Sequence, residues 1–432
     1  MLNSCPYQDC TQTGIASETQ SCPKCKRLLN WCRVCSSANQ MMGRYCRYCG
    51  KELGQNQEWK MFKSDFSLAA NAGFELTYPI KLEPFLTLWP EKELGARIDT
   101  APIAAYGELI CVCADSSGSV FFLNQQDGSI TKKFALGDRI IRTPAANSIY
   151  ISIATSKNLY SIILLPDKKL LSPYKLKDPN EQFSSHLVTE GNSVYLNTFS
   201  KSRSEFKVYR FNPEKREPLW KSEAFISKLN PTTPLIFEDH LLIGTNEGNI
   251  IVLDKEKGEC RAQLEDEELI SEGINTNVSP AFSTSLHRAY LFDKRGGLHT
   301  VNLNRQNGLK IEEFRISSFG TSFINDFAMS EGCILISCDE GVINSDVSGS
   351  INWNTKAHNL GNMRTTPVIC GKVGLVGENG FVYCFDLTPG QNAHCVQQQF
   401  SAKGDKLFVV AANKRFFVTS DKGKVGAYTL NQ

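Results

Sequence analysis

The sequence predicts an all-β chain: an eight-bladed β-propeller preceded by a small, metal-held N-terminal module. Three observations carry this. Eight of the 16 cysteines fall in the first 49 residues, as four close pairs. After residue 80, short apolar runs bounded by Gly, Asn, Asp and Pro dominate and helix-period patterns are scarce. Those runs recur as one phrase with eight starts, at the period of roughly 40–50 residues that a four-stranded blade needs.

The cysteine pairs are Cys5/Cys10, Cys22/Cys25, Cys32/Cys35 and Cys46/Cys49. A Cys-x-x-Cys knuckle points two thiolates at one ion, and a second knuckle closes the tetrahedron. The eight thiolates therefore predict two structural Zn²⁺ ions, with no position left open for a catalytic water. Disulfides would need an oxidising compartment. The opening Met1-Leu2-Asn3-Ser4 has neither a basic nor an apolar signal segment, so a cytoplasmic location is expected. No apolar run is long enough to span a membrane.

Two ligand schemes fit the spacing: sequential, with the first four and last four cysteines on separate ions, or cross-braced. Residues Lys26–Trp31 read as a hinge between two units with similar endings, Cys22-Pro-Lys-Cys25-Lys-Arg-Leu28 and Cys46-Arg-Tyr-Cys49-Gly-Lys-Glu-Leu53. This internal repeat favours the sequential scheme. Over residues 5–53 the segment resembles the double zinc ribbon family, which implies an adaptor or recognition module appended to something else.

Charged residues are 21% of the 432 and the formal net charge is +2, so neither a polybasic surface nor an acidic tail stands out. The N-terminal module is an exception. Lys24 to Lys51 holds seven basic residues and no acidic one. Arg33, Arg44 and Arg47 are thus candidates for contacting nucleic acid. The competing explanation is that these cations neutralise the negatively charged zinc–thiolate clusters.

The repeated phrase is Thr-Pro, an apolar strand, a turn, a second strand, a Gly turn, a third strand ending in Asp or Asn, then Gly and an apolar or aromatic residue. Thr233-Pro-Leu-Ile-Phe with Leu241 to Asp254 and Gly258 gives one copy, and Thr366-Pro-Val-Ile with Val373 to Asp386 and Gly390 another. Other copies start near Ala101, Thr143, Ser185, Ser279, Asn325 and Ala402. Pro opens a strand where its missing N–H is harmless. Gly248 and Gly380 supply the positive φ of a tight hairpin. Phe134, Trp220, Leu264, Phe314, Trp353 and Phe400 mark fourth strands that would pack between blades. Blades two and three are degenerate, with longer turns around Pro166–Pro173 and Lys201–Glu205. The last copy ends after its third strand, Gly423 to Leu430, while Pro84 to Trp89 looks like a fourth strand without its first three. Pairing the two closes the ring and removes an exposed edge.

Over residues 80–432 this pattern resembles the quinoprotein-type propellers, or PQQ-like repeats, best seen around Leu253-Asp254 and Trp220. That family includes quinone-cofactor dehydrogenases and non-enzymatic scaffolds. Its enzymes use a metal, an Asp base and often a vicinal cysteine pair. This chain has no adjacent Cys-Cys. Cys111-Val-Cys113 alternates like a strand and reads as two buried small hydrophobes. The six histidines, His186, His240, His287, His299, His358 and His394, lie in different repeats. The glycines 371, 374, 377 and 380 precede Phe381-Val-Tyr rather than a helix, so they read as a hairpin and not a phosphate loop. Asp115-Ser-Ser-Gly118 and Asp293-Lys-Arg-Gly296 occupy the same hairpin slot.

The domains expected are a double zinc ribbon over 1–53, a linker over 54–78, and a propeller over 79–432 closed by an N-terminal strand. The function expected is non-enzymatic: a cytoplasmic, bacterial scaffold that docks protein partners in a larger complex. Nucleic-acid recognition by the basic ribbon, and a sensor or enzyme in the propeller channel, are the alternatives.

Overall fold

The structure is a computed structural model. It describes residues 85–430 except 114, 148, 165–166, 284, 305–307, 315–322, 331, 357–359 and 391. Before residue 85 it describes residues 4–6, 10–13, 15, 22–24, 29–31, 37–40, 61, 63, 69–76 and 78.

Eight antiparallel sheets follow one another along the chain, each built by short hairpins, as the alternating apolar runs and Gly turns require. Their first strands are Ile103–Ala105, Ala145–Ala146, Val188–Glu190, Leu235–Phe237, Ala281–Ser283, Ile324–Met329, Val368–Gly371 and Leu407–Ala412. The first strands of blades one to three, and those of blades four to eight, approach one another in turn, and the last approaches the first, so they encircle an axis. The sheets are the eight blades of a propeller. Second and third strands are buried on both faces, as in Tyr150–Ala154 and Ile250–Asp254, because blades pack on both sides of them. The outermost strands, such as Ile130–Ala135 and Glu217–Lys221, are largely exposed.

The irregular blades have physical causes. In the second, Lys169–Leu170 and Tyr174–Lys175 both pair with Asn158–Ile163, so the outer strand is split. In the third, Ser193–Ser200 and Glu205–Asn212 form a long hairpin. Its projecting end is flanked by Gln182–Phe183 and Phe225–Ile226.

The eighth blade takes its outer strand from the other end of the sequence. Phe85–Glu93 pairs antiparallel with Lys424–Leu430, setting Phe85 against Leu430 and Thr87 against Tyr428. From this strand Trp89 reaches into the first blade. Its Nε1–H donates to the Gln125 carbonyl at 3.2 Å, and its ring lies where a Cβ on Gly128 would sit, at 2.6 Å. Trp220 repeats the arrangement between the third and fourth blades. It donates to the Lys255 carbonyl at 3.1 Å and rests over Gly258. Both glycines have positive φ, +67° and +74°, and end the Asn124 and Asp254 turns. One glycine thus serves a left-handed turn and a tryptophan seat together. Trp353 stacks on Phe385 of the seventh blade at 5.7 Å, and Phe400 meets Tyr428 edge-on at 6.0 Å.

At the N-terminus, Leu29–Trp31 pairs antiparallel with Ala38–Gln40. Half of the stretch expected to be a hinge is therefore a strand. Ala38 is buried against Cys5, Ile15 and Cys22, so residues of the second cysteine unit complete the small core of the first.

The stretch expected to be a linker, over its described residues, lies inside the ring. Asn71–Leu76 adds in parallel to the free inner edge of Val368–Gly371. Ala70, Ala72, Phe74 and Leu76 are buried in the core shared by the last blades, while Glu75 is exposed. That alternation has the period of a strand.

Candidate metal centre and axial channel

Cys5, Cys10 and Cys22 converge, with their sulfurs all within 4.8 Å of one another. One backbone bond ties Cys5 to the stretch that follows Cys10: the Cys5 N–H donates to the Gln12 carbonyl at 2.8 Å. Burial of Ile15 and Ala38 around Cys5 and Cys22 keeps water from the thiols. The Cys10 and Cys22 sulfurs are 3.7 Å apart. Zinc–thiolate bonds of about 2.3 Å give a tetrahedral edge of about 3.8 Å, whereas a disulfide would be about 2 Å. The donor set fits zinc. All three thiols come from the first unit, as the sequential scheme expects. One thiol cluster is present among the described residues where the spacing predicts two. Cys25, Cys32, Cys35, Cys46 and Cys49 lie outside the described residues, as do Arg33, Arg44 and Arg47. Lys24 donates to the Thr11 hydroxyl at 2.7 Å, tying one basic side chain to the module itself.

The axial channel holds the chain's own segment. Lys63 is fully buried there, and its ammonium sits 2.6 Å from the Asp326 carboxylate. It also donates to the Ser279 carbonyl at 3.2 Å and lies 4.3 Å above the Phe327 ring. Burial pulls the Lys63 amine below the ordinary lysine range, and the charge of Asp326 opposes that pull. Asp326 is held in turn by the Phe327 N–H at 2.9 Å and by the Thr366 hydroxyl. On the third blade, the Thr189 N–H points at the Met61 sulfur, 3.4 Å away. The Ala69 and Ala70 carbonyls accept from the Met329 and Ile369 N–H groups at 2.7 and 3.0 Å. One short segment therefore touches the inner strands or their approaches in blades three, five, six and seven.

His186 lies at the approach to the third blade's inner strand, where its Nδ1 accepts from the Thr143 N–H at 3.3 Å. Burial, with Arg142, Lys63 and Lys406 nearby, holds it well below the usual histidine range. His299 is fully buried, its Nε2 2.9 Å from Asp293, whose carboxylate also caps the Arg295 and Gly297 N–H groups. Burial works to raise the Asp293 carboxyl, but these bonds outweigh it and hold it low. This pair braces the hairpin foreseen at Asp293–Gly296. His358 lies outside the described residues. Cys111 and Cys113 are buried core thiols, and burial pushes Cys113 up to about 12. Gly380 turns the hairpin between Val373–Glu378 and Phe381–Asp386, with φ +81°.

Sequence reasoning missed Lys63, Asp326 and the Asp293–His299 pair. The alternation Ala70, Ala72, Phe74, Leu76 was the available signal for the segment that carries Lys63. Nothing local marks Asp326 as its partner.

Residues 175–394 match the profile of the family described as "Outer membrane protein assembly factor BamB". No curated protein matches the chain in sequence. Among solved structures, BamB from Moraxella catarrhalis superimposes with a TM-score of 0.60 at 16% identity, over 80% of this chain and 99% of that one. Quinohemoprotein alcohol dehydrogenase ADHIIG from Pseudomonas putida HK5 gives 0.65 at 10% identity, over 87% and 80%. The computationally designed Ika8 protein gives 0.63 at 11%, over 79% and 99%. At these identities the superpositions speak for the fold alone. The family match corrects the expected cytoplasmic location, because the matched family is described as an outer membrane protein assembly factor. No described helix is long and apolar enough to cross a membrane.

Proposed function

Since the chain belongs to the family described as outer membrane protein assembly factor BamB, we propose that it is a non-enzymatic scaffold, docking protein partners through the propeller and the metal-held N-terminal module. The assembly of outer membrane proteins, named in the family description, is the first setting in which to seek those partners. The observation that supports this reading is the filled channel. An axial enzyme site needs room for a cofactor and substrate, and Lys63, Ala69 and Ala70 are bonded across that space. A rigid ring whose loops face outward is then left with its surfaces to work with.

The N-terminal module is assigned two structural zinc ions. One is held by Cys5, Cys10, Cys22 and Cys25, the other by Cys32, Cys35, Cys46 and Cys49. The ions fold the module and supply no reaction. The deciding experiment is cross-linking and mass spectrometry of the protein in its native host, with and without residues 1–53. The scaffold reading expects the shortened chain to keep a folded ring and lose at least one partner. Retention of every partner would refute a docking role for the module. A second reading rests on the seven basic residues from Lys24 to Lys51: the module binds nucleic acid. Charge reversal at Arg33, Arg44 and Arg47 would then weaken binding and flatten its salt dependence.

A further inference from the structure

We propose that a cleft between the first and second blades binds a neutral, hydroxyl-rich small molecule, of the class of a single sugar ring. The cavity measures about 260 Å³ and its lining is drawn wholly from the described residues. That is just below the roughly 300–1,000 Å³ that hold drug-sized ligands, so it admits one small molecule. The first blade supplies Tyr106 from its inner turn, Glu108, Asn124 at the end of its third strand, and Thr131 on its outer strand. The second blade supplies Leu164 and Lys168, from the connection between Asn158–Ile163 and Lys169–Leu170. Thr131 is exposed, so the cleft is open to solvent.

Two opposite charges meet in the cleft and cancel. The Lys168 ammonium lies 3.0 Å from Oε1 of Glu108, which also accepts from the Thr131 hydroxyl. Both charged side chains are mostly buried, at 21% and 14% exposed. Oε2 of Glu108 has no partner among the described residues. Nor has the side-chain NH₂ of Asn124, whose Oδ1 accepts from the Gln126 N–H at 2.8 Å. The cleft therefore offers a charged acceptor, an ammonium and an amide donor, with no net charge. A hydroxyl both donates and accepts, so a polyhydroxy ligand meets all three and leaves the ion pair intact. A lone anion or cation would compete with a partner already in place. Leu164 and Tyr106 supply the apolar part of the lining. The walls are held without a ligand. The Tyr106 hydroxyl donates to the Asn147 carbonyl of the second blade at 2.6 Å, and the Gln125 side-chain amide donates to the Glu108 carbonyl at 2.9 Å. Tyr106 and Gly107 both have positive φ, +56° and +76°, in a two-residue turn that favours Asn-Gly. A tyrosine is strained there, and its bond across the cleft holds it in place. The site stands whether or not the ring is a scaffold.

Leucine-methyl NMR of the full chain tests this. The probes are D-glucose, D-mannose and D-galactose, the last two each differing from glucose in the direction of one hydroxyl. Glycine and inorganic phosphate serve as charged probes. The Leu164 signal is identified by its loss in Leu164→Val. It should shift saturably with at least one sugar and with neither charged probe. Glu108→Gln should weaken that binding about tenfold or more, because a charged acceptor is lost. Thr131→Trp fills the cleft from an exposed strand position and should abolish binding. Should either variant fail to fold, Thr131→Val is read in its place; it keeps the side chain's shape, loses the hydroxyl that orients Glu108, and should weaken binding about threefold or more. No saturable shift with any of the three sugars would overturn the proposal. So would saturable binding of glycine or phosphate at Leu164, or sugar binding that the variants leave unchanged.

Discussion

The ammonium of Lys63 and the carboxylate of Asp326 form an ion pair at 2.6 Å in which both side chains are buried. One comes from a segment that precedes the ring in sequence, the other from the first strand of the sixth blade. Their contact makes the N-terminal approach part of the propeller.

Breaking that pair one side at a time is costly. Asp326→Ala leaves a buried cation without its counter-charge and should lower stability by about 3 kcal/mol or more. The double substitution Lys63→Met with Asp326→Leu should cost much less, because no charge stays buried. Urea unfolding of the three chains measures both values.

The tryptophan seats predict a graded glycine series. Gly128→Ala and Gly258→Ala place a Cβ within 2.6 and 2.5 Å of an indole at a positive φ, and each should cost roughly 2–3 kcal/mol. Gly137 has φ +71° but open space around a Cβ, so Gly137→Ala should cost only about 1–2 kcal/mol. Thermal melts order the three. Equal losses would mean that the indoles do not set the blade spacing.

Truncations separate the inner segment from the closing strand. A chain starting at residue 61 should melt as one cooperative unit. A chain starting at residue 99 loses Phe85–Glu93, the partner of Lys424–Leu430, and should aggregate through the freed edge. A soluble, equally stable 99–432 fragment would contradict closure by that strand.

Thiol reactivity follows burial and metal. Burial pushes Cys113 to about 12 and also raises Cys111. Since the thiolate is the nucleophile, both should resist iodoacetamide at pH 8, while the exposed Cys260 reacts. Cys5, Cys10 and Cys22 should be protected until a chelator or mild acid removes zinc, because protons compete with the metal for thiolates. Elemental analysis should find two ions per chain, and one after Cys22→Ser.

Much of the ring was legible because its instructions are local. The starts at Thr233, Ser279 and Thr366 stand just before first strands, and Gly248 and Gly380 turn the hairpins they were assigned. The closing pair of Phe85 and Leu430 was also readable, since each end of the sequence held the part the other lacked. The inner segment was not. Its composition resembles a linker, and its strand, Asn71–Leu76, is fixed by an inner edge that exists only once the ring has formed. The Lys63–Asp326 pair is likewise a product of closure and has no spacing to betray it. The Lys26–Trp31 stretch misled for a similar reason. Its strand Leu29–Trp31 pairs with Ala38–Gln40, and Ala38 then packs on the thiols of the other unit.

The central claim is that this ring is a scaffold whose axis is filled by its own chain, and titrating the intact protein with a quinone cofactor tests it most directly. Calorimetry would be run with a divalent cation present and the cation-only heat subtracted. The account predicts no saturable uptake of the quinone. Saturable binding at one site per chain, abolished by substitutions on the inner strands, would contradict it.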